Sequence, residues 1–205
     1  MLPSYLERSN SSLVYMCDGL IRASGHPDSG FYLHDLRALS EILANNARAK
    51  TPTLLIGVSF ALLDLAAEFP VSFPELMLME TGGMKGRREE ITRTELHTIL
   101  KAAFGVPHVH SEYGMTELLS QAYALQDGLF QPPPWMRILI RDAEDPLALL
   151  PAGATGCINV IDLANVYSCS FIATDDLGKV RTDGRFEVLG RYDTSDLRGC
   201  NLLVE

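Results

Sequence analysis

Apolar residues recur along the first two-thirds of the chain with two alternating spacings. Leu36, Leu39, Leu43 and Ala47 lie three or four apart, so a helix from Leu36 to Arg48 gathers them on one stripe. Leu13 to Arg22 and Ala61 to Phe69 read as helices in the same way. Between the helices lie short apolar runs. Thr53 to Val58 is continuous and partly β-branched, which predicts a strand buried on both faces. Glu75 to Glu80 and Val106 to Ser111 read as two more strands, and Phe31-Tyr32-Leu33 as a strand end or a loop. Thr92-x-x-Glu95 is a capping box that opens a helix running to about Phe104. Glu117 to Leu125 reads as the helix after the third strand. Strands separated by helices imply parallel pairing through right-handed crossovers.

The pattern changes at Gln131-Pro132-Pro133-Pro134, which cannot continue a helix. Trp135 to Arg141, Gly156 to Leu163, Ser168 to Ala173 and Phe186 to Leu189 all read as strands, with turns supplied by Gly178 and by Asp183-Gly184. The expected fold class is therefore α/β, a parallel sheet flanked by helices and followed by a smaller β-rich lobe. The two parts are expected to cover residues 1–134 and 135–205.

Composition narrows the function. With 205 residues and 47% apolar content the chain can bury one large core or two small ones. A formal net charge of −9 argues against an extended nucleic-acid interface but leaves room for a small anion held by backbone amides. No stretch approaches a membrane span, and Met1 to Arg8 lacks the basic and apolar segments of a secretory signal, so the expected location is cytoplasmic. Of the four cysteines, none are at CxxC spacing. Free thiols are expected, with Cys17, Cys157 and Cys169 structural. His108 and His110 alternate and would share a strand face, but no third or fourth metal ligand accompanies them; His97 reads as a solvated helix residue.

Three clusters near strand ends carry candidate chemistry, and ligands of open α/β sheets bind beyond the carboxyl ends of strands. In Glu80-Thr81-Gly82-Gly83-Met84-Lys85-Gly86-Arg87-Arg88, the glycine pair permits close backbone approach and the bases could neutralise phosphate; a turn with solvated charges is the plain alternative. In Ser111-Glu112-Tyr113-Gly114-Met115-Thr116-Glu117, Tyr113 offers a flat face to a base. Thr116 can cap a helix or donate to phosphate, and Glu117 has the hard oxygen that Mg²⁺ prefers. The third runs from Thr174-Asp175-Asp176-Leu177-Gly178 through Asp183-Gly184-Arg185-Phe186 to Gly190-Arg191-Tyr192-Asp193. An aspartate there can accept both hydroxyls of a ribose, or simply shape a hairpin.

Taken together the clusters resemble the motifs of the acyl-adenylate-forming (AMP-forming) superfamily. Tyr113 to Glu117 looks like its Tyr-Gly-x-Thr-Glu motif. Thr174 to Gly178 resembles Thr-Gly-Asp-x-Gly, with Asp175 in place of the glycine. Gly190 to Asp193 resembles the Gly-Arg-x-Asp hinge, and Thr81-Gly82-Gly83 falls where the family has a glycine pair. The wording of Glu80 to Glu90, Ser111 to Gln121 and Ser195 to Cys200 is most similar to the bacterial luminescence acyl-protein synthetases, relatives of the phenylacetate-CoA ligases. The resemblance implies a ligase that uses ATP and Mg²⁺ to convert a hydrophobic, fatty carboxylic acid to acyl-AMP and then passes the acyl group to a thiol, its own or that of CoA, with an acyl-acceptor protein as a further partner. It implies that Tyr113, Gly114 and neighbours contact adenine, with the acid near Gly82, Gly83 and Met115. Thr116 is implied to contact the α-phosphate, Glu117 to hold Mg²⁺, and Asp176 with Arg191 to hold the ribose. Cys200 is the implied acyl acceptor.

Two departures accompany the likeness. The superfamily's Ser/Thr/Gly-rich phosphate loop with its lysine has no counterpart; Ser9-Asn10-Ser11-Ser12 lacks both glycine and lysine. The small C-terminal domain with its catalytic lysine is also missing before Glu205. The chain is accordingly expected to be truncated at the N-terminus and inactive alone. The rival expectation is a catalytically inactive nucleotide- or acyl-binding module or assembly subunit.

Overall fold

The computed structural model describes residues 1, 11–33, 35–82 and 91–192. The chain divides into two units, residues 1–116 with 123–128, and residues 117–122 with 129–205; the sequence alone places the change of architecture a little later, after Pro134.

The first unit holds α1 (Ser12–Ser24), α2 (Leu36–Ala49), β1 (Leu54–Gly57), α3 (Ser59–Glu68), β2 (Met77–Glu80), α4 (Arg93–Phe104) and β3 (His110–Tyr113). The helix ends follow local chemistry. Ser11 caps α1 by accepting from the Val14 amide at 3.3 Å, and Asp35 caps α2 by accepting from Ala38 at 2.8 Å. Thr92 and Glu95 form the expected capping box on α4. The strands β1, β2 and β3 pair in parallel in chain order, Leu54 opposite Met77 and Glu80 opposite Ser111, with a helix in each crossover. Leu43, Leu62, Leu65, Leu78, Leu100 and Phe104 form the centre of the core, all essentially sealed from solvent.

Four expectations need correction here. β1 is not buried on both faces: Leu54 and its register partner Met77 are exposed, while Leu55 and Leu78 are buried. The third strand starts at His110, because Pro107 has no N–H to give a ladder and Gly105 ends α4 in the left-handed region. His108 therefore lies outside the strand and is exposed, and His97 is buried rather than solvated.

The second unit contains an antiparallel sheet of β5 (Leu129–Gln131), β6 (Met136–Arg141), β7 (Thr155–Asp162), β8 (Phe171–Val180) and β9 (Phe186–Arg191), in spatial order β5-β9-β8-β7-β6. Phe130 and Phe186 face one another across β5 and β9 with ring centroids 5.4 Å apart. Asp183-Gly184 forms the expected turn between β8 and β9.

Gly178 does not. It lies within β8, at a register shift against β9. A Cβ at this position would sit 2.5 Å from the Glu187 carbonyl oxygen and 2.6 Å from Ile158 Cδ1, so glycine is needed for close strand approach. Gly178→Ala should destabilise the protein by about 1–3 kcal/mol, the usual cost of overpacking. An unchanged midpoint in urea unfolding would show that the sheet yields without cost.

The expected helix from Glu117 to Leu125 is absent as well; residues 114–121 are turn and loop, and β4 (Ala122–Ala124) is a short strand. The backbone groups that a helix would pair internally are claimed from elsewhere. Asp162, at the end of β7, accepts from the amides of Leu119 at 3.0 Å and Ser120 at 2.9 Å, and Asn165 donates to the Glu117 carbonyl at 2.6 Å.

Candidate functional site

In the first unit the glycine-rich and tyrosine-glycine segments follow neighbouring parallel strands, so the topology brings them to one rim. Gly82 lies two residues past Glu80, and Tyr113 two residues past Ser111, its register partner. Tyr113 is buried, Met115 half-buried, and Gly114 and Thr116 exposed. Gly82 has φ +72°, its carbonyl accepts from Ser59 N at 2.9 Å, and among the described residues other than its chain neighbour no atom lies within 4 Å of where a Cβ would be. Gly83 lies outside the described residues, as do Lys85, Arg87 and Arg88.

Beneath this rim is a buried charged group that the sequence reading did not single out. Glu80, 4% exposed, accepts from the Gly82 amide at 2.7 Å. Its other oxygen lies 3.7 Å from Arg93 Nε and 3.8 Å from His97 Nε2, both on α4. Burial pushes the Glu80 carboxyl up, but His97, Ser111, the Gly82 amide and Arg93 outweigh it and hold the group below its ordinary range. A glutamate closing an apolar strand, followed by a basic and a histidine residue four apart on the next helix, was the available signal.

In the second unit the Thr174 to Gly178 segment is a strand with a bulge, not a turn. Ala173 pairs with Asn159 and Leu177 with Cys157, so Thr174, Asp175 and Asp176 together oppose Ile158. The buried Thr174 hydroxyl donates to the Ile158 carbonyl at 2.9 Å. Arg141, unremarked in the sequence, fastens the bulge: its guanidinium donates to Asn159 Oδ1 at 2.8 Å and to the Thr174 carbonyl at 2.8 Å. The bulge brings two candidate residues together. Asp176 pairs with Arg191 across β8 and β9, with Oδ1 3.7 Å from Arg191 Nε. Arg191 is 61% exposed and Asp176 18%, so the pair is open on the arginine side. Asp175, where the superfamily motif has glycine, is exposed, with Oδ2 3.9 Å from Arg191 Nη2.

Glu117 is exposed, and its backbone is fixed by Asn165. An exposed carboxylate suits Mg²⁺, which binds one or two protein carboxylates together with phosphate oxygens and water. The residues just after it are held by the fully buried Asp162, which accepts from Leu119 N, Ser120 N, Ser120 Oγ at 2.7 Å and Ala164 N at 3.1 Å. Trp135 Nε1 in turn donates to Ser120 Oγ at 2.8 Å. The signal for Asp162 was a carboxylate closing the apolar run from Gly156 to Ile161. Among the described residues no group of three or more His, Cys, Asp or Glu is arranged to hold a metal on protein ligands alone. Cys17 and Cys157 are buried and Cys169 is exposed, the last departing from a structural role; Cys200 lies outside the described residues.

No protein-family model matches the sequence, and no curated protein matches it significantly. Solved structures do share the fold. The chain is 20% identical to ATP-bound MatB from Rhodopseudomonas palustris, with a TM-score of 0.57 over 78% of this chain and 34% of that one. It is 18% identical to a benzoate CoA ligase from Burkholderia xenovorans LB400, with a TM-score of 0.51 over 78% and 34%. It is 19% identical to the anthranilate CoA ligase AuaEII in complex with anthranoyl-AMP, with a TM-score of 0.52 over 80% and 34%. The chain spans about a third of the length of these proteins, and the likeness establishes a fold shared with part of them. No helix among the described residues is long and apolar enough to cross a membrane.

Proposed function

We propose that this chain carries part of the active site of an ATP-dependent, AMP-forming acid ligase. The observation that carries the reading is the Asp176–Arg191 pair, presented by a bulge in a fold shared with ligases of which one was solved with ATP and another with an acyl-AMP. An aspartate accepts two vicinal hydroxyls and an arginine donates to sugar or phosphate oxygens, which suits a ribose. In the reaction, a carboxylate oxygen of the acid attacks the α-phosphorus of ATP and the bond to pyrophosphate breaks. The protein's part is positioning and charge stabilisation.

On this reading Asp176 and Arg191 hold the ribose. Tyr113 and Gly114 pack near adenine, Thr116 donates to the α-phosphate, and the acid lies by Gly82, Gly83 and Met115. Mg²⁺ supplies charge neutralisation on the phosphates when bound, and Glu117 is the carboxylate that would hold it. The likeness of Glu80 to Glu90, Ser111 to Gln121 and Ser195 to Cys200 to the luminescence acyl-protein synthetases supports a hydrophobic acid and transfer of the acyl group to a thiol, Cys200 or CoA. An acyl-acceptor protein and a cytoplasmic setting belong to the same reading.

The test is acid-dependent exchange of label between pyrophosphate and ATP on the full-length gene product, across fatty and aryl acids. Exchange above background only with Mg²⁺ and a hydrophobic acid is the expected result. ATP binding without exchange for any acid would replace the ligase by a nucleotide-binding module.

A further inference from the structure

A buried carboxylate is costly to keep ionised unless its surroundings are arranged for it. Glu80 is the last residue of β2, and its neighbours are arranged around the charge. Oε2 takes the Gly82 amide at 2.7 Å and lies 3.5 Å from the Ser59 hydroxyl. Ser59 opens α3, whose N-cap, Val58, has no side chain able to cap it, so the carboxylate also offsets the positive end of that helix. From α4, Arg93 and the buried His97 face Oε1. Gly128 makes room for Arg93: a Cβ there would be 2.8 Å from Nη1.

The consequence falls on Gly82. Its amide is consumed inward by Glu80 and its carbonyl by Ser59, while no described residue beyond its chain neighbour comes within 4 Å of its Cβ position. Such a glycine cannot offer its N–H to a phosphate; it can offer a flat Cα face to a planar or apolar group. We propose that Glu80 is a positioning residue that locks the left-handed Gly82 turn, so that Gly82 presents its Cα face, and not its amide, to the adenine or the acid. This inference rests on the ligase reading for the identity of the ligand, but not for the lock.

The test compares the full-length protein with E80Q, which keeps the shape and an acceptor but drops the charge, and with G82A, which puts a methyl on the presented face. Hydrogen exchange at the Gly82 amide reports the lock alone. It should speed up about tenfold in E80Q, the difference between a charge-assisted and a neutral hydrogen bond. In pyrophosphate exchange, both variants should raise KM for ATP or acid about tenfold or more while kcat changes less than about threefold, the pattern of lost binding. Unchanged Gly82 exchange in a folded E80Q overturns the lock. Faster exchange with unchanged KM in both variants overturns the positioning role and leaves Glu80 purely structural. If wild type catalyses no acid-dependent exchange, the ligase reading and the ligand half of this inference fail, while the amide measurement still decides the lock. Should E80Q not fold, the G82A kinetics decide the ligand half, and wild-type Gly82 protection no greater than that of exposed loop amides overturns the lock.

Discussion

Asp162→Ala should lower stability by about 3–5 kcal/mol, the range for breaking a buried charged network by removing one partner. Four donors lose their acceptor at once: the amides of Leu119, Ser120 and Ala164, and the Ser120 hydroxyl. The Ser120 amide and hydroxyl are buried and cannot turn to water without moving the segment that the hub holds at the end of β7. The pH dependence follows from the same contacts. Burial pushes the Asp162 carboxyl up, but the Ser120 hydroxyl and the three amides hold it below its ordinary 3.8. The folded carboxyl thus binds a proton less readily than the unfolded one. Its contribution is complete above about pH 4 and is lost as pH falls through the folded value. Asp162→Asn should be less stable than wild type at neutral pH, and its stability should fall less steeply in acid. Urea unfolding from neutral pH into the acid range measures both effects. A loss below about 1 kcal/mol for Asp162→Ala, within the reach of an ordinary surface contact, would show that the hub is dispensable.

Asp176→Ala should weaken ATP binding roughly ten- to a hundredfold, the effect of losing a hydrogen bond to a charged group, about 1.5–3 kcal/mol. Isothermal calorimetry on the full-length protein reads it directly, with circular dichroism confirming the fold. Asp175→Ala is the internal control: Asp175 is exposed, so its removal should change affinity by no more than about 0.5 kcal/mol. Asp176 and Arg191 are close enough to couple, so the double variant should lose less than the sum of the single losses. Unchanged affinity in Asp176→Ala would reduce the pair to a clamp between β8 and β9.

The candidate site was partly legible. The residues of the bulge and of both strand-end segments could be picked out because their types and order form motifs. Their conformations could not. Thr174 to Gly178 reads as a turn because aspartate and glycine favour turns in isolation. It is strand because Thr174 and Arg141 bond to partners 16 and 33 residues away. His97 reads as a solvated helix residue, yet it is buried beside Glu80, a partner 17 residues away on β2.

What the sequence determined by itself is what neighbouring residues decide. The caps of α1, α2 and α4, the apolar stripes of those helices, the short apolar strands, the Asp183-Gly184 turn and the mixed α/β class all depend on contacts within a few residues. What only the tertiary structure decided is where distant polar groups meet. From Glu117 to Leu125 the local pattern favours a helix, but Asp162 and Asn165, more than forty residues away, take the backbone groups a helix would need. A single residue's helical preference is worth less than about 1 kcal/mol, whereas each buried charged hydrogen bond is worth about 1.5–3 kcal/mol, so the distant carboxylate prevails.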